Sequence, residues 1–267
     1  MTGVADVGAR VEALDLELFS AIKTQSSAAD RRSWLAIQRA IRRSGYVYLE
    51  IGSYLGGSLQ QHLVDPQCRQ LYSIDDRPLY SPDARGQGIT YRAATEDMFR
   101  SLRQVASVDR LVTFESDARA VDRARIARAP TFCFIDGEHT IDAVTSDFSF
   151  CLEICDPNAA IAIHDAPLII PGLRAIVARL RRSRIPFATR KVRDAATFVI
   201  FLRDSPARAD PFFFEQAEDG VAWLSREPWR LKAQALVRAA HPAMSRITPS
   251  FARPIVSRIT RRLFRDR

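Results

Sequence analysis

Long apolar runs are absent from this chain: none approaches the roughly 18 residues that a membrane-spanning helix needs, so nothing in the sequence is expected to cross a bilayer. The first twenty residues carry acids every few positions and no apolar core of a secretory leader, and a cytoplasmic protein is the expectation. Cysteine is scarce. Cys68, Cys133, Cys151 and Cys155 form no C-x-x-C pair, which argues against a disulfide framework and fits a reducing compartment. Cys151 and Cys155 stand four apart on a predicted helix, where free cysteine packs as a small hydrophobe. Repeats and low-complexity tracts are also missing, and 47% hydrophobic content over 267 residues suffices for one sizeable core. One domain with appendages is the simplest arrangement.

The net charge of +8 would suggest a nucleic-acid partner if it were spread over the molecule. It is not. From Arg226 onward eleven Lys and Arg face only Glu227 and Asp266, a local charge of +9, so residues 1–225 carry −1. A nearly neutral body argues against nucleic acid as substrate. In the tail, Ile247, Phe251, Ile255, Ile259 and Leu263 recur every four residues among arginines, and Pro254 is placed to open a short amphipathic helix. That segment suits contact with an anionic membrane surface, peripheral to the inner face, or with a protein partner; a solvated tail folded on its own domain is the bland alternative.

The organisation that is present is an alternation of short apolar runs with helical patterns. Val47–Ile51, Leu71–Ile74, Leu111–Phe114, Phe132–Ile135, Ala159–Ile163 and Thr197–Leu202 read as strands of a parallel sheet covered on both faces. Between them, Ile141, Val144, Phe148, Cys151 and Leu152 form one helical stripe behind Thr140 as N-cap, and Leu173, Ile176, Val177 and Leu180 form a second behind Pro171. The loop over residues 77–95, rich in Pro and Gly, is long enough for a lid. His62, in a polar run, is expected on an exposed helix face, and neither it nor His241 is assigned a role.

Against a chain with only eleven glycines, residues 48–58, YLEIGSYLGGS, stand out. A strand ends in Glu50 and passes into a turn holding Gly52, Ser53, Gly56, Gly57 and Ser58, where backbone can approach a ligand and a helix begins with free amides. The spacing does not fit G-x-G-x-x-G, and Glu50 would repel a phosphate. The expected ligand is therefore nucleotide-like but free of phosphate.

The order Glu50, Gly52, Gly56 resembles the E-x-G-x-x-x-G motif of class I S-adenosylmethionine-dependent methyltransferases. With FIDGEH at 134–139 and AIHD at 162–165, the sequence looks like the bacterial branch that methylates hydroxyls on sugars and other small molecules, akin to macrolide-sugar O-methyltransferases and cephalosporin-hydroxylase-like proteins. The resemblance covers roughly residues 30–203. It implies a Rossmann-like, seven-stranded, mostly parallel sheet with helices on both faces and a final antiparallel hairpin, drawn from residues 187–192 and 196–202. On this reading residues 1–44 are an N-terminal helical region, 45–204 the cofactor-binding domain, and 205–267 a basic helical extension.

Ligands of open α/β sheets bind beyond the carboxyl ends of the strands, and five acids gather there: Glu50, Asp75 or Asp76, Glu115 or Asp117, Asp136 and Asp165. By the resemblance, Asp75 accepts hydrogen bonds from the ribose of S-adenosylmethionine, with Asp76 as runner-up. Asp117 and Ala118 lie near the adenine, and Glu50 anchors the glycine turn and the methionine end. It further implies a divalent cation, Mg2+ or another metal, on Asp136 and Asp165. His164 stands where related enzymes carry an acid, which makes it a weaker third ligand, since imidazole suits other metals better than Mg2+. His139, with an unperturbed pKa near 6.5, suits the base that takes the acceptor's proton, and Glu138 is the alternative base if burial raises it. The expected activity is O-methylation of a sugar, glycan precursor or secondary metabolite. Two alternatives stand beside it: metal-independent transfer with His139 as base, and a non-catalytic scaffold that has kept the fold.

Overall fold

The computed structural model describes residues 4–77, 80–82, 88–90 and 94–226. The tail beyond 226 and much of the expected lid lie outside the described residues. The strands are β1 Tyr46–Ile51, β2 Cys68–Ile74, β3 Tyr80–Pro82, β4 Gly88–Thr90, β5 Leu111–Phe114, β6 Phe132–Ile135, β7 Ala160–Ile163, β8 Phe187–Val192, β9 Phe198–Leu202 and β10 Ala217–Asp219. The helices are α1 Val4–Glu12, α2 Ala28–Ile41, α3 Gln60–Val64, α4 Thr95–Arg103, α5 Ile141–Ile154, α6 Ile170–Arg182 and α7 Pro211–Glu215. None of the described helices is long and apolar enough to cross a membrane.

Eight strands form the main sheet in the order β10-β8-β9-β7-β6-β1-β2-β5, one more than the seven expected, while β3 and β4 pair as a separate hairpin. The additional strand is the three-residue β10, antiparallel to β8 at the sheet edge. Pairs from β5 through β7 are parallel, and β9 and β8 close that side antiparallel, as the hairpin reading expected. The chain runs outward from β1 to β2 and β5, then returns to β6 on the other side of β1. That reversal leaves a crevice beyond the carboxyl ends of β1 and β6, where open α/β sheets bind ligands.

Both faces of the sheet are covered because successive side chains of a strand point opposite ways. Phe134 meets Trp34 of α2 at a ring-centroid distance of 4.6 Å, while its neighbour Cys133 sits against Cys151 of α5. All six β1 residues are buried, as a central strand flanked on both sides requires. In α5, Val144, Phe148, Cys151 and Phe150 are buried, but Ile141, counted in the predicted stripe, is exposed at the first turn. Thr140 caps the helix, accepting from the Ala143 amide at 3.2 Å.

His62 departs from its expected exposed position. It is fully buried, stacked on Tyr48 at 3.7 Å and hydrogen-bonded through Nδ1 to the Tyr46 hydroxyl at 2.9 Å. Burial pushes its pKa down to about 3, so it packs as a neutral ring. Its polar neighbour Gln60 is buried as well, and holds the backbone of Ile22 at both N (3.0 Å) and O (2.7 Å). This clamp fixes the segment that follows Ile22 above the glycine turn.

The first compact unit takes in the sheet and the N-terminal helices up to Gly220. Of the second, which begins at Val221, the described part is a helical stretch to Arg226, with the Ser225 hydroxyl donating to the Val221 carbonyl at 3.0 Å.

Candidate active site

The crevice beyond β1 and β6 opens into two concave regions that share Gly52, Tyr54 and Asp136. Gly52 has φ +89°, and a Cβ there would lie 2.3 Å from the Asp136 carbonyl oxygen. Glycine is what lets the ends of β1 and β6 touch, and this contact sets Asp136 on the rim between the two regions. Gly57 answers a different need: a Cβ would come 2.8 Å from the Lys23 carbonyl, so its bareness admits the N-terminal segment rather than a ligand.

One region runs toward β2 and β5 and is lined by Asp75, Asp117, Ala118 and Glu138, with Asp147 from α5. Asp75 accepts from the amides of Tyr54 (2.7 Å) and Arg77 (2.8 Å), which locks its carboxylate at the end of β2. Two carboxylate oxygens offer about four acceptor sites, so capacity remains for vicinal hydroxyls. Asp76 beside it is exposed; its pKa is raised by partial burial and then by Asp75 and Asp117. Asp117 is tied to Arg119, whose backbone amide and Nε approach at 2.7 and 2.9 Å, and this partner lowers its carboxyl. Glu138 is exposed and accepts from the Thr140 hydroxyl at 2.6 Å, so the burial that would suit it as a base is missing.

The other region is walled by the 23–26 segment, Trp34 and the glycine turn, with His139, His164 and Asp165 at its floor. His139 Nε2 lies 3.1 Å from Asp165 Oδ2 and 3.5 Å from Asp136 Oδ1. Burial works to lower this imidazole's pKa, but the two carboxylates outweigh it and the net direction is upward. Asp165 takes a left-handed φ of 48°, a conformation that aspartate tolerates better than most residues, and it turns the carboxylate toward His139.

His164 faces a carboxylate with each ring nitrogen. Its Nδ1 lies 2.9 Å from Asp136 Oδ1, and its Nε2 faces Asp30 Oδ2 at 3.6 Å. Burial opposes the charged ring, yet Asp136 and Asp30 raise its pKa well above the ordinary value, which favours the cationic form between carboxylates. Asp136 in turn is pushed up by burial but held below the usual carboxylate range by the two imidazoles.

Asp30 went unrecognised in the sequence. Its carboxylate completes a capping box with Ser27 at the start of α2 and accepts from the amides of Ala196 and Thr197, both at 2.9 Å. The signal S-x-x-D at 27–30 was readable as a cap, but not its reach across 166 residues to β9. Glu50 and Gly56, expected at the cofactor, line neither region. Glu50 is fully buried, accepting from the hydroxyls of Tyr48 (3.0 Å) and Ser58, and burial drives its pKa up to about 8. It acts on the glycine turn from beneath.

Among described residues, Asp136, His139 and Asp165 are the group whose donor atoms could hold one metal ion, all within 4.8 Å of one another. His139 Nε2 is buried without a hydrogen-bond partner, which fits a nitrogen waiting for a cation or a substrate hydroxyl.

Residues 49–166 match a family described as methyltransferase domain. Solved structures similar to this chain include the O-methyltransferase TomG from Streptomyces achromogenes, in complex with SAM, at 16% identity and TM-score 0.48, covering 74% of this chain and 89% of that one. The Bacillus cereus O-methyltransferase in complex with SAH gives 13% identity and TM-score 0.48 over 73% of this chain and 90% of the other. MycE from mycinamycin biosynthesis, in complex with Mg and SAH, gives 15% and 0.49 over 72% and 54%. No curated protein matches the sequence. The family match spans the E-x-G-x-x-x-G turn, the Asp136 segment and Asp165, all on a Rossmann-like sheet, so residues 49–166 are similar to a methyltransferase domain.

Proposed function

We propose that this protein transfers a methyl group from S-adenosylmethionine to a hydroxyl of a sugar, glycan precursor or secondary metabolite, with a divalent cation assisting. One observation carries the reading. A base and two carboxylates from adjacent strand ends, His139 with Asp136 and Asp165, converge on the rim where the two concave regions meet.

The region with Asp75, Asp117 and Ala118 suits the nucleoside of the donor. Asp75 is oriented by two amides and offers acceptors alone, which selects hydroxyl donors such as a ribose diol. The bound donor supplies a methyl on a sulfonium, already activated for displacement. The chain's task is then to present an oxygen nucleophile, and an alcohol needs its proton removed as the new bond forms. His139 takes that proton, and Asp165 and Asp136, which face its Nε2, hold the ring and stabilise the imidazolium that results. Positioned general bases contribute about 10²- to 10⁴-fold to such steps. A cation on Asp136 and Asp165 would stabilise charge developing on the acceptor oxygen. The 23–26 segment and Trp34 wall the acceptor region.

A metal-free version has its own support: His164 already places a positive ring among Asp30, Asp136 and Asp165. The two versions part on one experiment. Transfer of a labelled methyl from S-adenosylmethionine to a panel of hydroxylated sugars and metabolites, after exhaustive EDTA treatment and with Mg2+ restored, should show loss and recovery. Unchanged turnover in EDTA supports His139 alone; absence of donor binding by calorimetry sinks both versions.

We place the reaction in the cytoplasm, a reading supported by free cysteines at 68, 133, 151 and 155, with the arginine-rich tail directed to an anionic membrane face or a protein partner. Binding of the full chain to anionic vesicles at two salt concentrations separates those two.

A further inference from the structure

Asp147, in the middle of α5, is 7% exposed and lines the nucleoside region. Its Oδ2 stands over Gly137, 3.5 Å from where a Cβ on that glycine would sit. Other acids of this wall have work or stand in solvent: Asp75 holds two amides, Asp117 holds Arg119, Glu138 takes the Thr140 hydroxyl, Asp136 holds His164, and Asp76 is exposed. Among the described residues, no group hydrogen-bonds the carboxyl of Asp147. The residue is more than nine-tenths buried, yet its carboxyl lines the cleft and is left without a protein partner, so it is open to a ligand.

Asp75, the 116–118 segment and Asp147 line one region, so a nucleoside with its ribose at Asp75 would have its base within this region beside Asp147. We propose that Asp147 reads the purine edge of the donor, pairing with the 6-amino group and ring N1 together, and so acts as a specificity residue of the cofactor cleft. This rests on the donor reading above. The pairing needs one donor and one acceptor side by side. A neutral carboxyl has both: its O–H donates to N1 and its carbonyl oxygen accepts from the amino group, whereas a carboxylate only accepts.

The surroundings favour the neutral form. Burial, then Asp117, Glu138 and Asp76 raise the pKa to about 7, with Arg119 pulling the other way. These four groups, from the segments after β5, β6 and β2, are the charges that face it.

The test uses the full-length protein and calorimetric binding of S-adenosylhomocysteine and of its analogue lacking the 6-amino group, at pH 6 and pH 8.5. Wild type should bind S-adenosylhomocysteine more weakly at the higher pH, on the order of tenfold, as the carboxyl loses its proton. Asp147→Asn keeps a donor beside an acceptor and should lose most of that pH dependence while keeping affinity. Wild type should prefer the amino-bearing ligand by about fivefold or more, the worth of one hydrogen bond, and Asp147→Leu should abolish the preference. If Asp147→Leu keeps the preference, or wild type never shows one, the assignment of Asp147 is wrong. If wild type binds neither ligand, the donor reading itself fails and this proposal falls with it.

Discussion

Glu50 allows the buried electrostatics to be tested without knowing the methyl acceptor. Its carboxyl is fully buried and its pKa is raised by burial from 4.5 to about 8, despite hydrogen bonds from Ser58 and Tyr48. The folded protein therefore holds a proton that the unfolded chain releases above about pH 4.5. Because the native state binds more protons, this group's contribution is fully present below the unfolded pKa and is lost as pH rises toward the folded one. Each pKa unit is worth about 1.4 kcal/mol, so keeping Glu50 neutral at pH 7 costs roughly 3 kcal/mol. Glu50→Gln removes that cost and still offers an acceptor and a donor to the two hydroxyls. Urea unfolding at pH 5, 6.5 and 8 should give curves that diverge: a difference under about 1 kcal/mol at pH 5, and a variant more stable by about 4 kcal/mol at pH 8. Parallel curves, or a variant weaker at every pH, would refute a neutral Glu50 beneath the turn.

Gly52→Ala should destabilise the fold by roughly 3 kcal/mol or more and abolish donor binding, since its methyl meets the Asp136 backbone at a positive φ; thermal melts and calorimetry read both. His139→Ala should lower turnover by about 10²- to 10⁴-fold with little change in donor affinity, and equal loss of both would argue for a structural role instead. Arg39→Met should cost on the order of 3 kcal/mol in denaturant, because it strands Asp210, 4% exposed in its side chain and gripped by two guanidinium nitrogens at 2.6 and 2.9 Å. Asp30→Asn should leave α2 capped yet reduce turnover, and unaltered turnover would remove Asp30 from the site.

Much of the sheet was legible because buried parallel strands read as short apolar runs, and β1, β5, β6 and β8 fall within a residue of the expected bounds. The strand-end acids were legible for the same reason: a charged residue closing such a run marks the rim where ligands bind. Contacts made across long separations were hidden. Asp30 carries the signature of an ordinary cap, and its reach to β9 and His164 depends on how α2 lies across the sheet. Asp147 looks like the polar face of a helix, and only the packing of α5 beside the 118–120 turn buries it. His62, in a polar run, is drawn inward by Tyr46 and Tyr48, whose rings the sequence places on a strand without saying what covers them. The strand β10 is three residues long and stands on backbone pairing, so its composition gives no sign of it.

A crystal of the protein grown with S-adenosylhomocysteine tests the whole arrangement most directly. The adenosine should lie between Asp75 and the 116–118 segment, with the sulfur turned toward the opening that His139, Asp136 and Asp165 share. A ligand seated in any other cleft, or a sulfur facing away from His139, would contradict the account.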